Sequence, residues 1–288
     1  MNMKKTLIAL AVVAASSAGV AHAGLGEFAP GALDQTVNIG GTVNKVDMSG
    51  FWEWAVGTGL DNYQNTVRDL QESNGKYVMS ITNSGNTPIL VGKTTQAFST
   101  PSVGGYGAIP HITLTGSDNN TITLQPENSS NDGKYYFDLP VSSDGQNVGT
   151  ARVHVIAAGI DAIGNSSSNT GEIYSAYSWT EYSIFYGALP QNNRISDGSQ
   201  AATIIASFGG LSQSDALTQI QRVNANVSSF SSSTMLMAEN MEYNDGTVVS
   251  ASYALGIADG GKIDVSFDNP VTETIQWTAP LHITVSYL

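Results

Sequence analysis

The sequence predicts an all-β protein with small helical insertions, built as an antiparallel sandwich. Three observations carry this. Several runs alternate apolar with polar residues, such as Val153, Val155 and Ala157 against Arg152 and His154, or Ile263, Val265 and Phe267 against Asp264 and Ser266. Alternation of period two gives a strand one buried face. Turn dipeptides punctuate these runs at Asn74-Gly75, Ser84-Gly85-Asn86, Asn131-Asp132-Gly133, Asp144-Gly145, Asn244-Asp245-Gly246 and Asp259-Gly260-Gly261. Such pairs supply the positive φ that hairpins need. Finally, only 12% of residues are charged, while Gly, Ser, Thr and Asn are abundant, a composition suited to short strands and tight turns.

Taken from the N-terminus, Lys4 and Lys5 precede an apolar run from Thr6 to Val13, and small residues lead to Ala21-His22-Ala23. Residues 1–23 are therefore expected to be a cleaved secretion signal, because the apolar run is too short to span a bilayer. The remaining 265 residues hold nine basic against 24 acidic side chains, a formal charge of −15. Such a surface argues against nucleic acid and anionic lipid as partners. The chain has no cysteine, so an exported form must be held by its core and hydrogen-bond ladders, and it is long enough to build that core.

Residues 24–31 read as a loose leader. Residues 33–43 then alternate, with Leu33, Val37, Ile39 and Val43 on the apolar side and Gly41 among them. On pattern alone this is either the first strand of the domain or a donor strand that completes a neighbouring subunit. A glycine among apolar positions lets one backbone approach another closely and fits the second reading. Further strands are expected over 77–82, 89–91, 111–115, 121–124, 135–139, 151–157, 247–255, 262–267 and 274–287. The final run places Leu281, Ile283, Val285 and Tyr287 on one face and His282, Thr284 and Ser286 on the other, either capping its own sheet or offering an edge to another protein.

Two stretches depart from the strand pattern. Leu217, Ile220, Val223 and Val227 have helical spacing, and Ser212 with Asp215 resembles a capping box. Residues 172–189 are also expected to be helical, with Ile173, Tyr177, Ile184 and Ala188 on one face. Residues 228–233 read as a serine-rich loop. A plain immunoglobulin-like sandwich needs only about 100 residues, so the excess is placed in an inserted subdomain over about 156–240.

No enzyme is expected. The histidines after the signal, His111, His154 and His282, are scattered without metal-ligand spacing, and no nucleophile elbow or phosphate loop is present. Neither metal nor cofactor is implied. Binding is better supported: Tyr174, Tyr177, Trp179, Tyr182, Phe185 and Tyr186 crowd together. Aromatic faces stack on sugar C–H groups, and the polar tips of Tyr and Trp bond hydroxyls. Tyr177, Trp179 and Tyr182 are the candidate ligand residues, with Phe185 and Tyr186 assigned to the buried side of the predicted helix. Trp52, Trp54 and Trp277 are read as core.

Five blocks carry a resemblance to a known family: Val37-Asn38-Ile39-Gly40-Gly41; the run from Trp52 to Leu60 (WEWAVGTGL); the run from Gln219 to Asn226 (QIQRVNAN); the run from Met241 to Ser250 (MEYNDGTVVS); and Gln276-Trp277-Thr278-Ala279-Pro280-Leu281. In these the chain resembles the FaeG-type major fimbrial subunits, which are also the adhesins of their chaperone–usher fimbriae. The resemblance weakens over about 160–210 and 99–106. It implies an incomplete immunoglobulin-like sandwich over 45–288 that lacks its last strand and is completed by donor-strand complementation. It implies a periplasmic chaperone and an outer-membrane usher, identical neighbouring subunits, a host glycan receptor and a place on the bacterial surface. Residues 24–44 would be the donor, with Leu33, Val37, Ile39 and Val43 entering the next subunit's groove. Leu281, Ile283, Val285 and Tyr287 would line that groove and be gripped by the chaperone. Many pilins have Gly fourteen residues from the end where this chain has Ile275, whereas the penultimate Tyr is present as Tyr287. Alternatives are a purely structural pilin, a secreted soluble lectin or enzyme, and an outer-membrane β-barrel; Leu288 and the capped helix at Ser212 argue against the last.

Overall fold

The computed structural model describes Thr42 and residues 47–99, 102–103 and 107–288. The chain divides into Met1–Asn44 and Lys45–Leu288, and the second unit is the one described below. The predicted signal, and the candidate donor residues Leu33, Val37, Ile39 and Val43, lie outside the described residues.

The strands run in the order β1 (Trp52–Val56), β2 (Gln71–Ser73), β3 (Lys76–Thr82), β4 (Thr87–Thr94), β5 (Ser102–Val103), β6 (Pro110–Gly116), β7 (Gln125–Pro126), β8 (Lys134–Ser143), β9 (Gln146–Asn165) and β10 (Thr170–Ala176). Two helices follow, α1 (Gly198–Ser207) and α2 (Gln213–Val223), and then β11 (Ser229–Met237), β12 (Glu242–Tyr243), β13 (Thr247–Ile257), β14 (Lys262–Phe267) and β15 (Leu281–Tyr287). The protein is all-β and immunoglobulin-like, with small helical insertions.

The large sheet is organised around β9. The first half of β9 is paired on its two sides by β8 and β14, and the second half by β13 and β10. The sheet continues outward from β13 to β4 and β1, and from β14 to β3 and β2. Predicted turns deliver the hairpins: Asn74 and Gly75 have φ of 52° and 76°, and Asp144 and Gly145 have 49° and 76°. Gly92 is required where β4 meets β1, because a Cβ there would stand 2.1 Å from the ring of Trp54. The edge strand thus lays an indole over a bare backbone.

A separate pair, β6 and β15, forms a second small sheet with register Leu281↔Gly116 to Tyr287↔Pro110. The main core is shared between this pair and the large sheet, and includes Trp52, Ile112, Leu114, Tyr135, Phe137, Phe185, Tyr253 and Phe267. A second core lies where α1 and α2 pack on β9, β10 and β13. It is built from small and branched residues such as Ala162, Ala201, Ala202, Ile205 and Ile220. α2 is fixed further by a buried polar network. Gln219 accepts from the hydroxyls of Thr94 and Ser250 at 2.7 and 2.8 Å and donates to the Thr94 carbonyl at 2.6 Å. All of these groups are satisfied inside the fold, which makes the anchor specific as well as strong.

The structure corrects several expectations. Residues 172–189 do not form a helix: 170–176 are strand β10, and the remainder is an irregular loop. Its helical-looking spacing arises because Ile173 is buried from a strand while Ile184 and Ala188 are buried from turns. The loop is held by its own polar groups, with Ser178 donating from both N–H and Oγ to the Leu189 carbonyl. Residues 229–233 belong to β11, parallel to β10, and are not a loop. α1 was not anticipated; Asp197 caps it by accepting from the Gln200 N–H at 2.8 Å. α2 starts at the expected Ser212–Asp215 capping box. Thr121 forms one bridge to Thr115 in place of a strand, and the last strand begins at Leu281 in place of residue 274.

Candidate functional site

Two surfaces hold the residues singled out from sequence. The first is β15. Its alternation sends Leu281, Ile283, Val285 and Tyr287 inward, and all four are half-buried against the main core. Among the described residues β15 pairs with β6 alone, so one edge of its backbone has no strand beside it there. An edge of that kind is a template for pairing. The strand is anchored at both its last residues: Trp54 Nε1 donates to the Tyr287 hydroxyl at 2.9 Å, and Leu288 N–H donates to the Ile109 carbonyl at 3.1 Å. Burial raises the pKa of Tyr287, and the Trp54 bond offsets part of that rise. Trp277 and Ile275, just before the strand, are likewise half-buried on the core. Trp52 is buried and donates to the Ala108 carbonyl at 3.1 Å.

The second surface is an open cleft of roughly 400 Å³ lined by Tyr177, Trp179, Thr180, Tyr182, Ser183, Gln191, Ala238 and Asn240. The loop after β10 supplies the three aromatic residues predicted from sequence. Trp179 is 62% and Tyr182 59% exposed, unusual for side chains of this size. Tyr177 meets Trp179 edge-on, with ring centroids 6.5 Å apart and planes at 85°. The Arg194 guanidinium lies 5.3 Å over the Tyr177 ring, a cation–π contact that fixes the ring's tilt. Buried Ser183 accepts from the Trp179 N–H at 3.3 Å and holds the loop's tip. The cleft therefore presents two exposed aromatic faces on a braced loop, beside the amides of Gln191 and Asn240. Stacking surfaces beside hydrogen-bonding amides suit a polyhydroxylated ligand.

The six clustered aromatics separate in space. Phe185, at φ 61°, is fully buried against Trp52 with rings 5.6 Å apart, in a T-shaped contact. Tyr186, expected on a buried helical side, is instead 43% exposed and lies beside His111. Gln191, Ala238 and Asn240 carried no signal in the sequence, since they reach the cleft only through tertiary structure. His154, on the polar side of its alternating run, is half-buried between the carboxylates of Glu127 and Asp264. Among the described residues no cluster of side chains has the makings of a metal site.

The chain has relatives among known fimbrial proteins. A family model described as "Fimbrial, major and minor subunit" matches residues 3–288. The chain is 44% identical to the K88 fimbrial protein AC of Escherichia coli over 288 residues, covering 99% of this chain and 100% of that protein. It is 42% identical to the K88 fimbrial protein AD of Escherichia coli over 290 residues, with the same coverage. Identity to the F41 fimbrial protein of Escherichia coli is 26% over 297 residues, again covering 99% of this chain and 100% of the other. The chain belongs to the family of fimbrial major and minor subunits, a structural family of surface fimbriae rather than an enzyme family.

Proposed function

We propose that this subunit polymerises by donor-strand exchange and also carries the adhesive site of its fibre. The observation that supports the first half is β15: half-buried inward residues, and an edge with no strand beside it among the described residues. In this reading residues 1–23 are removed on export. A periplasmic chaperone covers Leu281, Ile283, Val285 and Tyr287, and an outer-membrane usher delivers the subunit to the growing fibre. Residues 24–44 of the next subunit then replace the chaperone by β-strand addition. Residues 45–288 are the incomplete domain, with the region over about 156–240 inserted for binding. Leu33, Val37, Ile39 and Val43 entering the groove would each contribute about 1.5–3 kcal/mol of transfer free energy. Ordering the extended segment opposes that gain, and the main-chain hydrogen bonds of the added strand offset part of the cost.

Deleting residues 24–44 tests this half. Electron microscopy is expected to show no fibres while chaperone-bound subunit is still recovered, and normal fibres would sink the idea.

The second half rests on the cleft at Tyr177, Trp179 and Tyr182, whose exposed rings and flanking amides suit a host glycan. Trp179→Ala is expected to lower adhesion to glycan-bearing cells by about tenfold, the loss of roughly 1.4 kcal/mol of stacking, with fibre yield unchanged. Adhesion equal to that of the parent would place the site elsewhere.

A further inference from the structure

Two carboxyl groups that do not line the cleft are buried, on Asp161 and Glu239. Asp161 sits on β9, opposite Tyr174 of β10 and Ala251 of β13. It is 0% exposed, and neither carboxyl oxygen has a hydrogen-bond partner among the described residues. Glu239 is 1% exposed and lies between β11 and β12, where its neighbours Ala238 and Asn240 line the cleft. Its carboxylate accepts from the Met241 N–H and from the Tyr243 hydroxyl, the latter at 2.6 Å. Its backbone carbonyl accepts from the Ile184 N–H at 2.9 Å, which ties the aromatic loop to the same segment. Met241 is buried at φ 58°, so this short wall turns back sharply at the carboxylate that holds it.

We infer that Asp161 and Glu239 are positioning residues for the cleft: together they hold one negative charge, and a second charge on Asp161 releases the 238–241 wall. Two buried carboxylates that feel each other's charge cannot both ionise cheaply. Glu239 has donors and keeps the charge; Asp161 has none and keeps the proton. Burial first, and then the charge of Glu239, push Asp161 well above the usual carboxylate range. Burial also raises Glu239, but Tyr243 and backbone N–H groups hold it back. The other ionisable groups around the pair are Tyr243 on β12, itself pushed up by burial and by Glu239, Asp245 before β13, and Tyr174 across from Asp161. No ion pair among the described residues reaches either carboxyl. Because the folded value of Asp161 lies above its unfolded one, the stability it contributes is whole below about pH 4 and is lost as pH rises through the folded value. Affinity at the cleft should fall over the same rise.

The consequence for affinity rests on the cleft being the adhesive site, but the pair itself is tested without a ligand. Emission from Trp179 is followed in assembled fibres from about pH 5 to about pH 9, below the phenol range near 10, with Trp179→Phe fibres subtracted to isolate it. A single transition is expected in the parent protein. It should vanish in Asp161→Asn, which keeps the neutral shape, and in Glu239→Gln it should move to lower pH. The inference is overturned if the parent is flat, if Asp161→Asn titrates as the parent does, or if Glu239→Gln leaves the midpoint in place. Should Asp161→Asn fail to fold, the Glu239→Gln midpoint decides alone. A transition that behaves as expected, in fibres whose adhesion survives Trp179→Ala, upholds the pair and removes the adhesive reading.

Discussion

β14 and β15 alternate in the same way and end in different surroundings. In β14 the inward residues Ile263, Val265 and Phe267 are 6%, 0% and 3% exposed, and the strand is paired on one side by β9 and on the other by β3. In β15 the inward residues Leu281, Ile283, Val285 and Tyr287 stay half-buried, and among the described residues only β6 pairs with the strand. The outward residues of both strands are polar, so composition does not separate them. What separates them is the number of neighbours. A strand flanked on both sides has its side chains covered by those of adjacent strands as well as by the facing layer. A strand flanked once leaves its inner face partly open. The comparison teaches that the same alternation is fully buried where a strand is flanked twice, as in β14, and half-buried where it is flanked once among the described residues, as in β15.

The sharpest way to break the comparison is a charge on each inward face. Val265→Asp should prevent folding, since an unpaired carboxylate in a closed core costs several kcal/mol. Val285→Asp should leave a folded subunit, seen by circular dichroism, that no longer enters fibres. If both variants unfold alike, the two strands are equivalent and the distinction fails. A milder version removes only methyl groups. Ile263→Ala is expected to cost about 2–5 kcal/mol in urea unfolding of the purified subunit, and Ile283→Ala about half as much, because part of its surface is already wet. In assembled fibres that gap should close, and a gap that stays the same would argue that nothing covers β15 there. The smallest effect expected is at the end of the strand. Tyr287→Phe removes the acceptor of the Trp54 indole N–H and should lower subunit stability by about 0.5–1.5 kcal/mol. An unchanged unfolding midpoint would show that this bond does not hold the strand end.

Much of this architecture was written in local pattern. The alternation over 262–267 matches β14 residue for residue, and the Asn74-Gly75 and Asp144-Gly145 turns adopt the positive φ that their residue types favour. The capping box at Ser212 and Asp215 marks the start of α2. These succeed because the physical cause is contained in a few consecutive residues. α1 escaped notice because its buried positions are Gly198, Ala201, Ala202 and Ile205, mostly small residues that make little contrast between faces. The segment 172–189 misled for the opposite reason. Its buried residues fall at helical intervals, yet they are buried from a strand and from turns, and spacing alone does not distinguish the routes by which a side chain reaches a core. Of the cleft, Tyr177, Trp179 and Tyr182 were legible as a cluster of rings. Gln191 and Asn240 were not, because nothing near them in the chain differs from an ordinary surface loop.

Sequence by itself determined the class of fold, the hairpins, the capped helix and the presence of two unusual features, an aromatic cluster and an amphipathic C-terminal strand. Each depends on interactions between residues a few positions apart. Only the tertiary structure decided that Phe185 belongs to the core while Trp179 and Tyr182 face solvent, that Asp161 and Glu239 are both buried, and that among the described residues β15 is flanked once where β14 is flanked twice. Those outcomes depend on which distant segments arrive on each side of a residue. Burial, ionisation and edge pairing are set by that environment, and no short stretch of sequence contains it.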